Sequence, residues 1–312
     1  MSARPIRYLA AIALWTVPNH AGAQSPSTAT PEVLRVTRSA DDGGEGSLRW
    51  AIERNNAAPG RLRIELDPAG QPPHVIKLAS PLPAIKGPVA IEGAPWKRSG
   101  EFVALDGSGY IEDKGPQTCP GAVAGQYGAN VRTTSFPGLA LVDTQGVEIS
   151  GLEIRNFCIG VLIHRASGNS IHDNRIVGNR GGAGVAPASG SLAKICPDGA
   201  PKCQAPPNGG LAPPTLERVR KHAGELIVQG ELRGKPRARF TVEVFGNRAA
   251  GSGEGEMFLG EVAATSDAEG RGRFSLTIDA AKLAAMPASF TATLTSADGA
   301  TSEFSQPVAL AE

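Results

Sequence analysis

The sequence predicts an all-β fold, a short parallel β-helix closed by one N-terminal capping helix and followed by a small antiparallel β-sandwich. Three observations lead there. Gly 39 and Pro 25 make about a fifth of the 312 residues and aromatics only 5%, a balance that suits short strands and tight turns and excludes a helical bundle. An internal repeat with offsets of 22 and 24 residues begins at Gly138, Gly160 and Gly184. From about residue 216 the chain changes to longer runs that alternate apolar with polar side chains. Hydrophobic residues at 41% supply a real core, and the balance of Lys+Arg 31 against Asp+Glu 30 argues against nucleic acid as a partner.

The first 23 residues read as a secretory leader: Arg4 and Arg7, an apolar run from Tyr8 to Val17, a break at Pro18 and the small triplet Ala21-Gly22-Ala23. Residues 24–32 are then a flexible N-terminus, and the expected location is secreted or periplasmic. The apolar run of about ten residues is too short to span a bilayer, so no membrane span is expected. Loss of the leader moves the formal charge from +1 to −1. In an oxidising compartment Cys119, Cys158, Cys196 and Cys203 suggest disulfides. Cys119 with Cys158 and Cys196 with Cys203 is the most economical of three possible pairings. Without a C-x-x-C, and with scattered histidines, neither a metal site nor a cofactor is expected.

Residues 33–190 hold the parallel part. Ser47 can N-cap a short amphipathic helix over Ser47 to Asn56, with Leu48, Ala51 and Ile52 on one face, suited to cover an open first coil. Short β-runs surround it: Val33 to Thr37, Arg61 to Leu66, Val75 to Leu78, Val89 to Glu92 and Val103 to Asp106. In the repeat, Ile149 aligns with Ile171 and Ile154 with Ile176, one coil apart, while Asn169 replaces Val147 and Asn174 replaces Leu152. Buried Asn can stack as a ladder and satisfy neighbouring amides. A Pro/Gly-rich linker, 191–215, leads to the sandwich at 216–312, whose hairpin signals are Asp267 to Gly270 and Ala297 to Gly299.

The segments VTRSADDGGEGSLRWAIERNNAAPG, RLRIELD, VIKLASPLPAIKGPVAIEG and GNSIHDNRIVGN resemble the N-terminal portion of exported bacterial right-handed parallel β-helix repeat proteins. Trp50 stands where their Ser-Leu-Arg-Glu-Ala motif has Glu. The stretches GEGEMFLGEV, DAEGRGRFSLTI and DGATSEFS are similar to the immunoglobulin-like module found C-terminal to such helices. The resemblance implies architecture rather than chemistry.

Strand alternation turns Glu148, Ser150, Glu153 and Arg155 outward, with Ser170, His172 and Arg175 one coil away, Asp173 at the turn and His164 on an adjoining face. Glu153, Arg155, His164, His172, Asp173 and Arg175 are the candidate ligand-binding residues, and no catalytic set is legible. This mixed-charge face makes non-catalytic binding of an extracellular or cell-envelope polysaccharide the leading expectation. The alternatives are a carbohydrate-active lyase, hydrolase or epimerase, and a degenerate or purely structural surface protein. Ser191 to Lys194 matches S-x-x-K without a K-T-G partner, and the Gly-rich runs lack the ending of a phosphate loop, so neither adds a site.

Overall fold

A computed structural model describes residues 32–60, 62–111, 136–179, 185–187 and 207–311. The leader expected over 1–23 lies outside them. β1 (Val33–Val36) leads to α1 (Leu48–Ala57), which starts where the Ser47 hydroxyl accepts the Trp50 N–H at 3.2 Å and buries Leu48, Ala51 and Ile52. The chain continues through β2 (Leu62–Leu66), β3 (His74–Lys77), β4 (Val89–Gly93), α2 (Ala94–Ser99) and β5 (Val103–Asp106). Next come β6 (Pro137–Val142), β7 (Val147–Ser150), β8 (Leu152–Arg155), β9 (Ile159–His164), β10 (Ser170–Ile171), β11 (Arg175–Val177) and β12 (Val185–Pro187).

These strands form three parallel sheets, ordered β1-β2-β4-β7-β10, β11-β8-β5-β3 and β12-β9-β6. Successive turns of chain add one strand to each sheet, so each inward residue stacks on its counterpart about 4.8 Å away. The first sheet stacks Leu34, Ile64, Ile91, Ile149 and Ile171, and the second stacks Ile76, Leu105, Ile154 and Ile176. All nine are buried. Each contributes roughly 1.5–3 kcal/mol of transfer free energy. Tight corners separate the columns: a Cβ on Gly93 would stand 2.0 Å from the Gly151 carbonyl oxygen.

At the corners the side-chain amides form a ladder. Asn169, Asn174 and Asn179 accept the N–H of Val147, Leu152 and Phe157, each 22 residues earlier and at 3.0 Å. The Asn174 amide donates in turn to the carbonyls of Ile149 and His172. Buried polar groups are tolerated because each is bonded.

The C-terminal strands are β13 (Thr215–His222), β14 (Glu225–Arg233), β15 (Arg239–Asn247), β16 (Met257–Thr265), β17 (Arg271–Asp279), β18 (Ser289–Ser296) and β19 (Val308–Ala309). They make two antiparallel sheets, β13-β14-β17 and β16-β15-β18-β19, around Val219, Val228, Val242, Val244, Phe290 and Leu294. At the Asp267–Gly270 turn the Asp267 carboxylate accepts from Glu269 and Arg271. Gly270, at φ +77°, leaves no room for a Cβ against the Gly234 carbonyl.

The antiparallel strands close the last parallel turn, whose edge amides would otherwise be open. Thr301 Oγ1 accepts Ile171 N–H at 2.9 Å, Glu243 accepts Asp173 N–H at 2.8 Å, and Glu254 accepts the N–H of Gly178 and Asn179 at 2.9 and 2.7 Å. Ile176 and Gly255 exchange both backbone bonds, and Asn208 extends the ladder by accepting Asn169 N–H. Phe245 and Phe304, edge to face at 5.3 Å, join the core of the parallel turns.

The expected all-β class, a short right-handed parallel β-helix with an N-terminal capping helix followed by a small antiparallel sandwich, is corrected here. α2 is a second helix, set between β4 and β5, and the sheets are mixed, three parallel and two antiparallel, sharing core residues. The physical reason lies in Ala94-Pro95: Pro95 in the first turn presets the helical φ and gives up an N–H that has no partner there, and Gly100 closes α2 in the left-handed conformation.

Candidate functional site

Two polar groups stand beside the last parallel turns. The first lies where the first two sheets meet the antiparallel cap. His172 follows β10, and Nδ1 lies 2.9 Å from Asp173 Oδ2 while Nε2 lies 3.2 Å from Glu148 Oε1. With a carboxylate at each nitrogen, the Asp173 bond first among them and the Glu148 bond after it, the ring is pushed up to about 9 against the cost of burial. It is an imidazolium at neutral pH. Asp173 is held at φ +52°, and its N–H points to Glu243, a carboxylate only 2% exposed. Burial, reinforced by the Asp173 charge, pushes Glu243 up to about 7, against the pull of the Asp173 N–H and the His172 charge.

Around the corner on β8 and β11, Glu153 is buried between Arg155 at 2.6 Å and Arg175 at 2.8 Å. Arg155 reaches Asp106 at 3.1 Å, and Arg175 approaches Glu256 at 4.0 Å. Burial raises Asp106, but bonds from Asn156, the Ser108 N–H and Arg155 outweigh it and hold this acid at about 2. Instead of an open polar face, the structure places Ser150 and Glu153 out of solvent and leaves Glu148 exposed.

The second group ends β9. His164 is 3% exposed, and Arg165 Nη1 lies 2.8 Å from its Nε2 while the rest of that guanidinium grips Asp143 bidentately at 2.5 and 2.6 Å. An arginine always donates, so Nε2 accepts and the ring proton sits on Nδ1. Burial, then the Arg165 charge, lowers the His164 pKa, so the ring is neutral at pH 7. Nδ1 is buried with no partner among the described residues. An unmet buried donor costs about 1–3 kcal/mol. On the same outer face lie Ala140, Val142 and Leu162, which with Ile159 form an apolar cluster apart from the main core.

The six candidates thus fall into two places: Glu153, Arg155, His172, Asp173 and Arg175 along one corner, and His164 on the third sheet. Sequence reasoning missed Glu243, Glu254 and Glu256. The signal for Glu243 was its strand, where Phe245 shares the face opposite Val242 and Val244; a face carrying Phe is not turned to water. Cys158 is disulfide-bonded, and Cys119, Cys196 and Cys203 lie outside the described residues. A cleft of about 620 Å³ beside Ser167, Asn208, Lys235 and Asp298 holds none of the candidates. Among the described residues no cluster of His, Cys, Asp and Glu suits a metal, and no helix is long and apolar enough to cross a membrane.

No family model matches the chain. It is 51% identical over 158 residues to a 3-dehydroshikimate dehydratase of Acinetobacter baylyi, a match covering 50% of this chain and 32% of the relative. The chain therefore spans about a third of the length of the curated relative it matches. This relative overturns four expectations. The resemblance to exported β-helix repeat proteins with an immunoglobulin-like module gives way to likeness to a small-molecule enzyme. Polysaccharide binding without catalysis, the leaning against an enzyme and the carbohydrate-binding character give way with it, because the relative is a dehydratase by name. Motifs that mark stacking and turns carry no information about such chemistry, which explains the error.

Proposed function

We propose that this chain is a dehydratase acting on a small cyclic hydroxy-keto acid, 3-dehydroshikimate. The observation that carries the reading is the 51% identity over 158 residues to a dehydratase of that name. Removing water from such a ring requires a base for a C–H proton, an acid for the departing hydroxyl, and donors for the ketone and carboxylate oxygens. The described residues include groups of each kind. His172 is a charged imidazolium whose two nitrogens hold Asp173 and Glu148 until a substrate displaces one of them, Glu148 is an exposed carboxylate, and His164 has a buried N–H without an acceptor among the described residues. The test is incubation of the full chain with 3-dehydroshikimate. The expected product is lighter by one water and absorbs in the ultraviolet as an aromatic acid; unchanged substrate with folded protein overturns the reading. Location outside the reducing cytosol, secreted or periplasmic, belongs to the same proposal. The disulfide at Cys158 supports it, and fractionation of the producing cell checks it.

A further inference from the structure

The cleft of about 620 Å³ between the two groups of sheets falls in the range of small-molecule pockets, about 300–1,000 Å³. Ser167, on the turn after β9, lines one side, and Arg233 and Lys235, at the end of β14 and just beyond it, line the other; all three are exposed. Leu211 and Ala212 supply an apolar part, the first half-buried and the second exposed. Asn208 ties the two sides together: its side-chain amide donates to the carbonyls of Asn169 and Thr301, and its backbone N–H to that of Ala166. At Gly209, held at φ +66°, an added Cβ would meet no atom within 4 Å, so the backbone there faces open space.

The charges along the cleft do not balance. Asp298 is taken by Lys235 at 2.5 Å and by the Ser296 hydroxyl. Arg233 is left with no carboxylate partner among the described residues, and Arg271, directly opposite it on β17, has none either. Like charges facing each other across a strand pair repel. An anion on Arg233 would relieve that repulsion, and the planar fork of a guanidinium matches a carboxylate with two parallel bonds. One open positive charge in the cleft calls for a monoanion. The Leu211 and Ala212 side suits a hydrocarbon ring, and the Ser167 hydroxyl suits a hydroxyl borne on that ring.

We propose that this cleft is a binding site for a small hydroxylated ring carboxylic acid, its carboxylate gripped by Arg233 and its ring set beside Leu211 and Ala212. The site is separate from the groups named for the dehydratase reading, none of which lines the cleft, and it stands or falls on binding rather than turnover. Because one side comes from the parallel turns and the other from the antiparallel strands, the bound acid would also hold the two together and raise the melting temperature.

The experiment titrates the full chain calorimetrically with three probes: hydroxycyclohexane carboxylate, cyclohexanediol as the ring without the charge, and inorganic phosphate as the charge without the ring. The acid should bind with a Kd of about 1 mM or below and the other two far more weakly. Arg233→Gln should weaken the acid at least about tenfold, the loss of one charge-assisted bidentate contact. Arg271→Gln removes the same charge from a residue outside the cleft and should change binding less than about threefold. Ala212→Trp fills the apolar side and should abolish binding. All three substitutions fall on exposed residues, and melting curves check that each variant is folded. Equal losses in Arg233→Gln and Arg271→Gln overturn the proposal, because net charge alone would then attract the acid. Phosphate or the diol binding as tightly as the acid overturns it as well, and so does binding unchanged in Ala212→Trp or no measurable binding of the acid to the parent.

Discussion

His172 and Glu243 are tied through Asp173, and both titrate above their ordinary values, which gives the junction a pH dependence of definite sign. Glu243 stands at about 7 in the fold against 4.5 for a free carboxylate, chiefly because it is buried. His172 stands at about 9 against 6.5, chiefly because Asp173 accepts its proton, with Glu148 on the other side. A group whose folded value is raised contributes stability that is complete below the free value and is lost as pH rises through the folded one. Glu243 therefore weakens the fold between about pH 4.5 and 7, and His172 between about 6.5 and 9. The other charges facing Glu243 are Asp173, which adds to its rise, and Glu261 opposite it on β16, which adds less. Melting temperature should consequently fall from mildly acidic to alkaline pH. Glu243→Gln should flatten the lower part of that slope and His172→Gln the upper part, as measured by thermal melts from pH 4 to 10. A slope identical in both variants and the parent would sink the assignment.

Strands and corners were largely legible in the sequence, because a 22-residue lattice repeats locally. Ile149 faces Ile171 and Ile154 faces Ile176 in the observed register, and Asn169 and Asn174 bond across the same offset. What closes the lattice was not legible. Glu243, Glu254 and Thr301 meet the last turn from 70, 75 and 130 residues away in sequence, and no local period reports such contacts. The six candidate residues could be named but not sorted, since a strand pattern says which face a side chain takes and not what covers that face. Glu153 illustrates this, being outward in the alternation yet buried between two arginines. The lattice itself can be tested at Ile171, which is 3% exposed and the last of its column. Ile171→Asp should destabilise the parallel turns by several kcal/mol, because an unpaired carboxylate would be buried among aliphatic side chains. Chemical denaturation followed by circular dichroism measures it, and a midpoint equal to the parent's would show that the column tolerates a charge.

In the molecule from Pro31 to the C-terminus, the two groups of sheets are unequal in what they need from each other. The antiparallel sheets enclose their own core of Val219, Val228, Val242, Val244, Phe290 and Leu294, and their strands pair among themselves. The parallel turns have α1 over β1 and β2, but at the other end their amides at Asn169, Ile171, Asp173, Ile176, Gly178 and Asn179 depend on acceptors from residues 208–301. Phe245 and Phe304 also leave the parallel core if those residues are removed. A fragment of residues 32–187 would thus present an open parallel edge with apolar columns behind it, the arrangement that recruits a second chain. We expect that fragment to associate or precipitate, and residues 207–312 alone to fold as a monomer with Phe245 and Phe304 newly exposed. Size-exclusion chromatography with light scattering, together with melting of both fragments, tests the asymmetry. A fragment 32–187 that stays monomeric and melts cooperatively would mean that the antiparallel sheets merely rest on the last turn, and that the carboxylates of Glu243 and Glu254 are dispensable as its closure.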